Sequence, residues 1–290
     1  MNVGELRRIL AKARVSPSKR KGQSFLMSES VAQREVSEAG IGDGDMVLEI
    51  GPGTGILTAF LCETGAQVTA IELERGLAEH LRNTLCTRHS NLTIIQGDAL
   101  EIELPPFDRI VSNVPYSIST PLLFRIMDHR FRAAVLLLQE EFALRLGAPP
   151  GLREYSRLSV MVQFRYDVEE LFRVPRNCFH PRPDVDSLAV RLEPRPEEEV
   201  PEILDPEIFD SLVRSIFTAR RKTMRNSIVA MNRMLDLPDG VVTGAMEDLD
   251  PEILDMRGEV LSPDEIADVA NLVSEHLEDE GSQVAAGKGR

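Results

Sequence analysis

The sequence contains no uncharged apolar stretch of the ~20 residues that a membrane span requires. Its opening residues, MNVGELRRILAKAR, lack the apolar run of a secretion signal. Three cysteines in 290 residues, Cys62, Cys86 and Cys178, stand too far apart for a disulfide framework or a zinc set. Cys178 and His180 sit two apart, but that spacing alone makes no metal site. These absences point to a cytoplasmic protein without membrane or metal, and the length allows one large or two modest domains with ample core.

Acidic residues, by contrast, are in excess. The formal net charge is −14, and the stretch from Asp236 to Glu280, with fifteen acids and one base, equals that whole excess. The bases elsewhere are clustered. Arg7, Arg8, Lys12, Arg14, Lys19, Arg20 and Lys21 crowd the N-terminus against the single acid Glu5, and Arg214, Arg220, Arg221, Lys222 and Arg225 form a second patch. Binding to a phosphate backbone is set by such local patches rather than by net charge. The plain alternative, for the N-terminal cluster in particular, is a solvated face.

Between these clusters, apolar strands and helical stretches alternate. Strands are expected at Met46–Ile50, Gln67–Leu73, Leu92–Gln96, Arg109–Asn113 and Ala133–Leu138, with later strands at Ser159–Tyr166 and Ser187–Leu192. Near-continuous apolar strands separated by helices imply a parallel sheet covered on both faces. Pro194, Pro196 and Glu197–Glu199 mark a linker, beyond which the pattern is helical throughout. The expected organisation is a basic mobile arm over residues 1–22, an α/β domain over 23–198, a helical domain over 199–277 and a disordered tail over 278–290.

The first strand hands over to a helix through Gly51, Gly53 and Gly55 in VLEIGPGTGILT. Glycines there let a ligand approach the backbone, and the free N–H groups of the next helix face the crevice. Glu72, about 20 residues on at the end of the second strand, is placed to hold a ribose diol. Ile56 stands where a dinucleotide fingerprint has its third glycine, which turns the reading away from NAD. A tight turn that binds nothing is the competing account. Glu49, Glu72, Asp98 and Asn113 all fall at the carboxyl rim of the sheet, where ligands of such folds bind. Asn113–Tyr116 (NVPY) follows the fourth strand. The proline fixes a rigid turn, and an amide oxygen, a backbone carbonyl and an aromatic ring together suit an adenine lifted out of its stack. A simple strand-ending turn is the alternative there.

In this order and spacing, GQSFL, EIGPGTGILT, IELER, GDAL, NVPYSIS and FHPRPDVDS closely resemble the KsgA-type ribosomal RNA adenine dimethyltransferases, in their archaeal-like form. FTARRKTMRNSI and LDMRGEVLSPDEIADVAN extend the resemblance past the linker, so that it covers nearly everything from Arg20 to Leu277. The fold it implies is a Rossmann-like sheet of the S-adenosylmethionine-dependent methyltransferases with a small all-helical C-terminal domain. The activity it implies is dimethylation of the 6-amino group of two adjacent adenosines near the 3′ end of small-subunit rRNA, by a monomer acting on immature small subunits.

Residue by residue, the resemblance places Gln23, Ser24 and Leu26 at the methionine end of S-adenosylmethionine, and Gly51 and Gly53 along its methionine and ribose. Glu72 and Leu73 fall at the ribose hydroxyls, and Asp98 and Ala99 at the adenine. Asn113 would touch both cofactor and target amine. Pro115 and Tyr116 would carry the target base, with Phe179 covering its other face, and Arg220, Arg221, Lys222 and Arg225 would dock rRNA phosphates. Two positions depart from the common pattern: Ser24, where many relatives carry Asn or His, and Ser117, often Asn or Gln. The implied reaction is in-line displacement at the sulfonium methyl without a general base, which agrees with the lack of a catalytic His or Cys near NVPY. A large-subunit rRNA methyltransferase of the macrolide-resistance type and a non-catalytic ribosome-assembly or nucleic-acid-binding factor are the alternatives; a NAD-dependent oxidoreductase is more distant.

Overall fold

The computed structural model describes residues 1–17 and 22–287, the side chains of 239 and 281–287 excepted. The chain divides into two compact units, Met1–Leu144 with Asp167–Pro194, and Arg145–Tyr166 with Arg195–Arg290.

The first unit is built on a seven-stranded sheet. Its strands are β2 (Met46–Ile50), β3 (Gln67–Glu72), β4 (Leu92–Gln96), β5 (Arg109–Asn113), β6 (Ala133–Gln139), β7 (Tyr166–Val174) and β9 (Ser187–Pro194), in the order β4-β3-β2-β5-β6-β9-β7. β4 through β6 run parallel, whereas β9 lies antiparallel to β6, with Leu136 opposite Val190. The sheet is therefore mixed, not purely parallel as the strand–helix alternation suggested. Strand order reverses between β2 and β5, and a crevice opens at such a switch point beyond the carboxyl ends of the strands. Ser112 Oγ on β5 donates to the Ile50 carbonyl at 2.7 Å and pins the two strands there. Helices α2 (Glu29–Glu38), α3 (Ile56–Glu63), α4 (Arg75–Thr84) and α5 (Ser119–Met127) belong to the same unit. Val47, Val68, Val111 and Val135 from the sheet join Leu57, Leu61 and Leu81 from the helices in one buried core.

A short antiparallel ribbon, β1 (Phe25–Leu26) with β8 (Phe179–His180), pairs Leu26 with Phe179. It brings the GQSFL and FHPRP segments together, which no local pattern indicates.

Three expectations need correcting. Within the stretch expected as a mobile arm, Val3–Ala13 is a helix, α1, started by a capping box between Asn2 and Glu5. Leu6 and Leu10 of that helix are buried in a cluster with Phe25 and Leu77. Residues 18–21, with Lys19, Arg20 and Lys21, lie outside the described residues. Second, Ser159–Tyr166 is not a strand. Ser156 and Ser159 form a capping box that starts helix α7 (Arg157–Gln163), and the strand begins only at Tyr166. The alternation of Val160, Val162 and Phe164 imitates a strand, but the reciprocal cap and the i, i+4 pair Val160 and Phe164, both buried in the helical core, prevail. Third, helix α12 (Pro263–Gly287) runs on through the expected tail; residues 288–290 lie outside the described set.

The second unit is helical: α7, α8 (Pro206–Thr218), α9 (Met224–Leu235), α10 (Asp239–Asp248), α11 (Pro251–Asp255) and α12. Its core holds Tyr155, Val160 and Phe164 with Ile208, Leu212 and Ile266. The Tyr155 hydroxyl, fully buried, donates to the Leu261 carbonyl at 2.9 Å. The sequence boundary at 198/199 therefore misses a piece: residues 145–166 belong with the helical unit.

Candidate active site

A cavity of about 310 Å³ lies at the carboxyl rim of the sheet. It is lined by β1 and the residues before it, the glycine turn after β2, the ends of β3 and β4, the NVPY turn, and Phe179. Gln23, Ser24, Leu26, Gly51, Gly53, Glu72, Leu73, Asp98, Ala99, Asn113, Pro115, Tyr116 and Phe179 all line it. The turn is tight for a reason of packing. Gly51 adopts φ +72°, and a Cβ on it would lie 3.3 Å from Pro115 Cγ. The glycine turn and the NVPY turn thus pack closely, and any side chain at residue 51 would press on Pro115 and strain a backbone at positive φ.

Glu72 is buried at the end of β3. Its Oε2 accepts from the Gly53 N–H at 3.0 Å and its Oε1 from the Glu74 N–H at 2.8 Å. Burial pushes its carboxyl up to about 7, with the backbone N–H groups opposing the shift. Gln23 Nε2 donates to Glu74 Oε1 at 3.2 Å, so the GQSFL segment is tied to the same strand end. Leu73, next to Glu72, is 49 % exposed and offers a flat apolar surface at the cavity rim. Asp98 accepts the Leu100 N–H on one carboxylate oxygen at 2.8 Å.

Glu49 is the residue that the sequence motifs underweighted. It sits inside an otherwise apolar strand, lines the cavity, and is 2 % exposed, and its Oε2 has no hydrogen-bond partner among the described residues. Burial raises its carboxyl to about 8, against the opposing effect of the Thr58 hydroxyl, while the Glu72 charge adds to the rise. Glu35 on α2 is likewise fully buried, both oxygens unpartnered, and held well above the usual carboxylate range by burial and then by Glu49. A carboxylate buried without a counter-charge is costly, so Glu49 stays protonated near neutral pH, and a cation beside it would favour its ionised form.

At the far side, Asn113 ends β5. Its Oδ1 is buried and has no partner among the described residues. The Pro115 carbonyl accepts from the Ile118 N–H at 3.0 Å, closing the turn. Tyr116 is half-buried, and its hydroxyl lies 2.6 Å from Ser187 Oγ. Ser187 is a second residue that sequence reasoning missed, because nothing local links it to position 116.

The basic cluster of the helical unit is divided in use. Arg220 donates from Nε to Glu259, from one terminal nitrogen to the Arg153 carbonyl at 2.7 Å, and from the other to the Leu152 carbonyl at 2.9 Å. Its guanidinium is therefore a structural tie and not a free phosphate contact. Arg221, Lys222 and Arg225 are exposed, in the turn before α9 and in its first helical turn.

Residues 16–245 match the family described as ribosomal RNA adenine dimethylase. The chain belongs to that family. It is 39 % identical over 251 residues to a probable ribosomal RNA small subunit methyltransferase A from Methanosarcina acetivorans, covering 87 % of this chain and 91 % of that protein. A protein of the same description from Thermococcus onnurineus is 45 % identical over 216 residues, covering 74 % and 77 %. Among solved structures, a dimethyladenosine transferase from Plasmodium falciparum superposes with a TM-score of 0.75 at 30 % identity, covering 87 % of this chain and 98 % of that one. The 23S rRNA methyltransferase ErmE superposes with a TM-score of 0.61 at 25 % identity, covering 88 % and 99 %. The family is S-adenosylmethionine-dependent, and the cavity fits that donor: a buried unpaired Glu49 for a cation, Glu72 at a strand end for a diol, and an apolar rim. Among the described residues, no helix is long and apolar enough to cross a membrane.

Proposed function

We propose that the protein dimethylates the 6-amino groups of two adjacent adenosines near the 3′ end of small-subunit rRNA, as a monomer acting on immature small subunits. When bound, S-adenosylmethionine supplies an electrophilic methyl group on a sulfonium centre. Glu72 holds the ribose hydroxyls of the donor, Asp98 its adenine amine, and Glu49 its ammonium group. Ser24, Leu26 and the Gly51–Gly53 turn shape the wall along the methionine. Asn113 Oδ1 and the adjoining backbone carbonyl accept the two hydrogens of the target amine. Acceptors placed so favour a localised nitrogen lone pair and aim it. Tyr116 stacks on the target base, with Phe179 at its other face, and Pro115 keeps the turn rigid. No side chain needs to take the proton, because a methylated aryl ammonium is acidic enough to lose it to water. Catalysis rests on orientation and electrostatics.

The observation that carries this reading is the buried, unpartnered Asn113 Oδ1, at a residue that lines the same cavity as Tyr116 and Glu72. The likeness of the curated relatives to small-subunit methyltransferases supports the choice of substrate, whereas the ErmE likeness keeps a large-subunit substrate as the second reading. The test is transfer of labelled methyl groups from S-adenosylmethionine to purified immature small subunits and, separately, to protein-free large-subunit rRNA, with the modified bases identified by mass spectrometry. Dimethyladenosine in the small subunit, abolished by Asn113→Ala with cofactor binding retained, is expected. Label confined to the large-subunit rRNA, or methylation undiminished by Asn113→Ala, contradicts the reading.

A further inference from the structure

The proposed site leaves the N-terminal basic cluster without a role, and the structure gives part of that cluster a fixed position. One face of α1 is apolar: Leu6 and Leu10 pack with Phe25 and Leu77, both of which line the cavity. The helix is therefore one layer of side chains from the cavity. Its C-terminal end is seated on α4 by a close backbone approach. A Cβ on Gly76 would come within 1.8 Å of the Ala13 carbonyl oxygen, so the two helices meet only because residue 76 is glycine. Further along the chain, Gly22 packs against the NVPY turn, where a Cβ would lie 3.0 Å from the Ser117 nitrogen. The segment that carries α1 thus also forms one wall of the target side of the cavity.

The opposite face of α1 is cationic. Arg8 and Lys12 are exposed there, Arg7 is exposed at its flank, and Arg14 stands just beyond the helix. No ion pair is made by Arg7, Lys12 or Arg14 among the described residues, and Arg8 reaches only the Gly4 carbonyl, at 3.4 Å. Of the acids nearby, Glu5 is engaged in the capping box, Glu29 with the Met1 ammonium and Glu79 with Arg75, while Glu63, which lines a groove together with Arg8, makes no ion pair with it. A helix whose apolar face and backbone are locked in place presents its charges rigidly, which is what positioning a phosphate backbone needs. In a chain of net charge −14, such an uncompensated face singles out polyanions.

Resting on the rRNA reading above, we propose that the exposed face of α1 is a phosphate-docking surface for the RNA strand leading to the target adenosine. Arg7, Arg8 and Lys12 contact phosphates. They position the strand and carry no base specificity.

The test compares the full chain with Arg7→Glu/Arg8→Glu/Lys12→Glu, with the milder Gln triple in case the first fails to fold, and with Gly76→Ala. The readouts are calorimetric affinity for S-adenosylmethionine, affinity for small subunits across a salt series, and kcat and KM for methylation. The triple variants are expected to bind subunits about tenfold or more weakly at ~0.1 M salt, with the log–log salt dependence flattened by about two to three. Their KM should rise with kcat and cofactor affinity kept. Gly76→Ala, which lifts the helix itself, is expected to weaken RNA and cofactor together. A wild-type salt slope and subunit affinity in the triple variants overturns the proposal, as does a loss of kcat and cofactor affinity at unchanged subunit affinity, which would make α1 a wall of the cavity only. Failure of the wild-type chain to bind or methylate small subunits would instead defeat the proposed function itself, before any variant is compared.

Discussion

The Tyr116 hydroxyl and Ser187 Oγ lie 2.6 Å apart, joining the turn after β5 to the first residue of β9 across 71 positions of sequence. Ser187 is fully buried, so its hydroxyl is fixed, and the tyrosine ring is held by both its ends. The proposed role of Tyr116 is to present a flat face, which demands orientation more than acidity. Tyr116→Phe and Ser187→Ala should each lower kcat by about fivefold, the worth of roughly 1 kcal/mol for a neutral hydrogen bond. Their combination should cost little more than either alone, since both remove one bond. Tyr116→Ala should cost about 1–3 kcal/mol, the range of a base–aromatic stack. Steady-state kinetics on small subunits checks all four, and additive losses in the double variant would count against the tether.

Cofactor binding should depend on pH. In the free protein Glu72 is raised to about 7 and Glu49 to about 8, by burial first in each case. A diol and a cation both favour the carboxylate form, so binding releases protons and the affinity for S-adenosylmethionine rises as pH climbs from about 6 to 8. Calorimetry in buffers of different ionisation heat measures the protons released. A flat profile over that interval would contradict the assignment, and Glu72→Gln should remove the lower of the two inflections.

The same burial makes Glu49 a liability to the unliganded fold. Unfolded, its carboxyl ionises near the ordinary value; folded, it stays protonated until about pH 8. Between those values the folded state binds the extra proton, so stability falls as pH rises and levels off above the folded value. Glu49→Gln should therefore raise the melting temperature of the cofactor-free protein by a few degrees near pH 8 and hardly at all near pH 5. The same variant should bind S-adenosylmethionine more weakly. Equal melting shifts at the two pH values would refute the account.

Arg220 and its neighbours should separate experimentally. Arg220→Ala leaves Glu259 and the carbonyls of Leu152 and Arg153 without their donor, at about 1–3 kcal/mol in total. It should lower the melting temperature. Arg221→Ala, Lys222→Ala and Arg225→Ala should leave melting unchanged and flatten the salt dependence of rRNA binding by close to one unit each. Salt titrations and thermal melts on the four single variants decide between the two behaviours.

The parallel half of the sheet was legible in the sequence because its strands are short apolar runs bounded by glycine or polar ends; β2, β4 and β5 begin and end at the residues that the pattern predicts. The cavity was legible for the same reason: its polar residues sit at strand ends, and strand ends are where periodicity breaks. Glu49 is legible only as one of the polar residues of the rim; that it is buried with an oxygen left unpartnered is set by the packing around it, which no strand pattern shows. The pairing of Leu26 with Phe179 and the Tyr116–Ser187 contact are relations between distant segments, and no window of sequence contains both partners. Helix α7 reads as a strand because Val160, Val162 and Phe164 alternate, whereas the Ser156–Ser159 reciprocal cap and the i, i+4 pair Val160 and Phe164 fit a helix over the same short run. Arg220 looked like its neighbours, since composition does not distinguish a guanidinium facing solvent from one bonded to carbonyls.

The helical unit takes its material from two places in the chain, residues 145–166 and the stretch from Arg195 onward, and Tyr155, Val160 and Phe164 of the first piece share a core with Ile208 and Leu212 of the second. A gene cut once, anywhere, cannot release this module whole. A truncation after residue 198 would strand an oily helix on the remaining protein, and a graft of the C-terminal stretch alone onto another methyltransferase would arrive with a hole where Tyr155 belongs. Any exchange of this unit between relatives, by evolution or by an engineer, must carry both pieces at once.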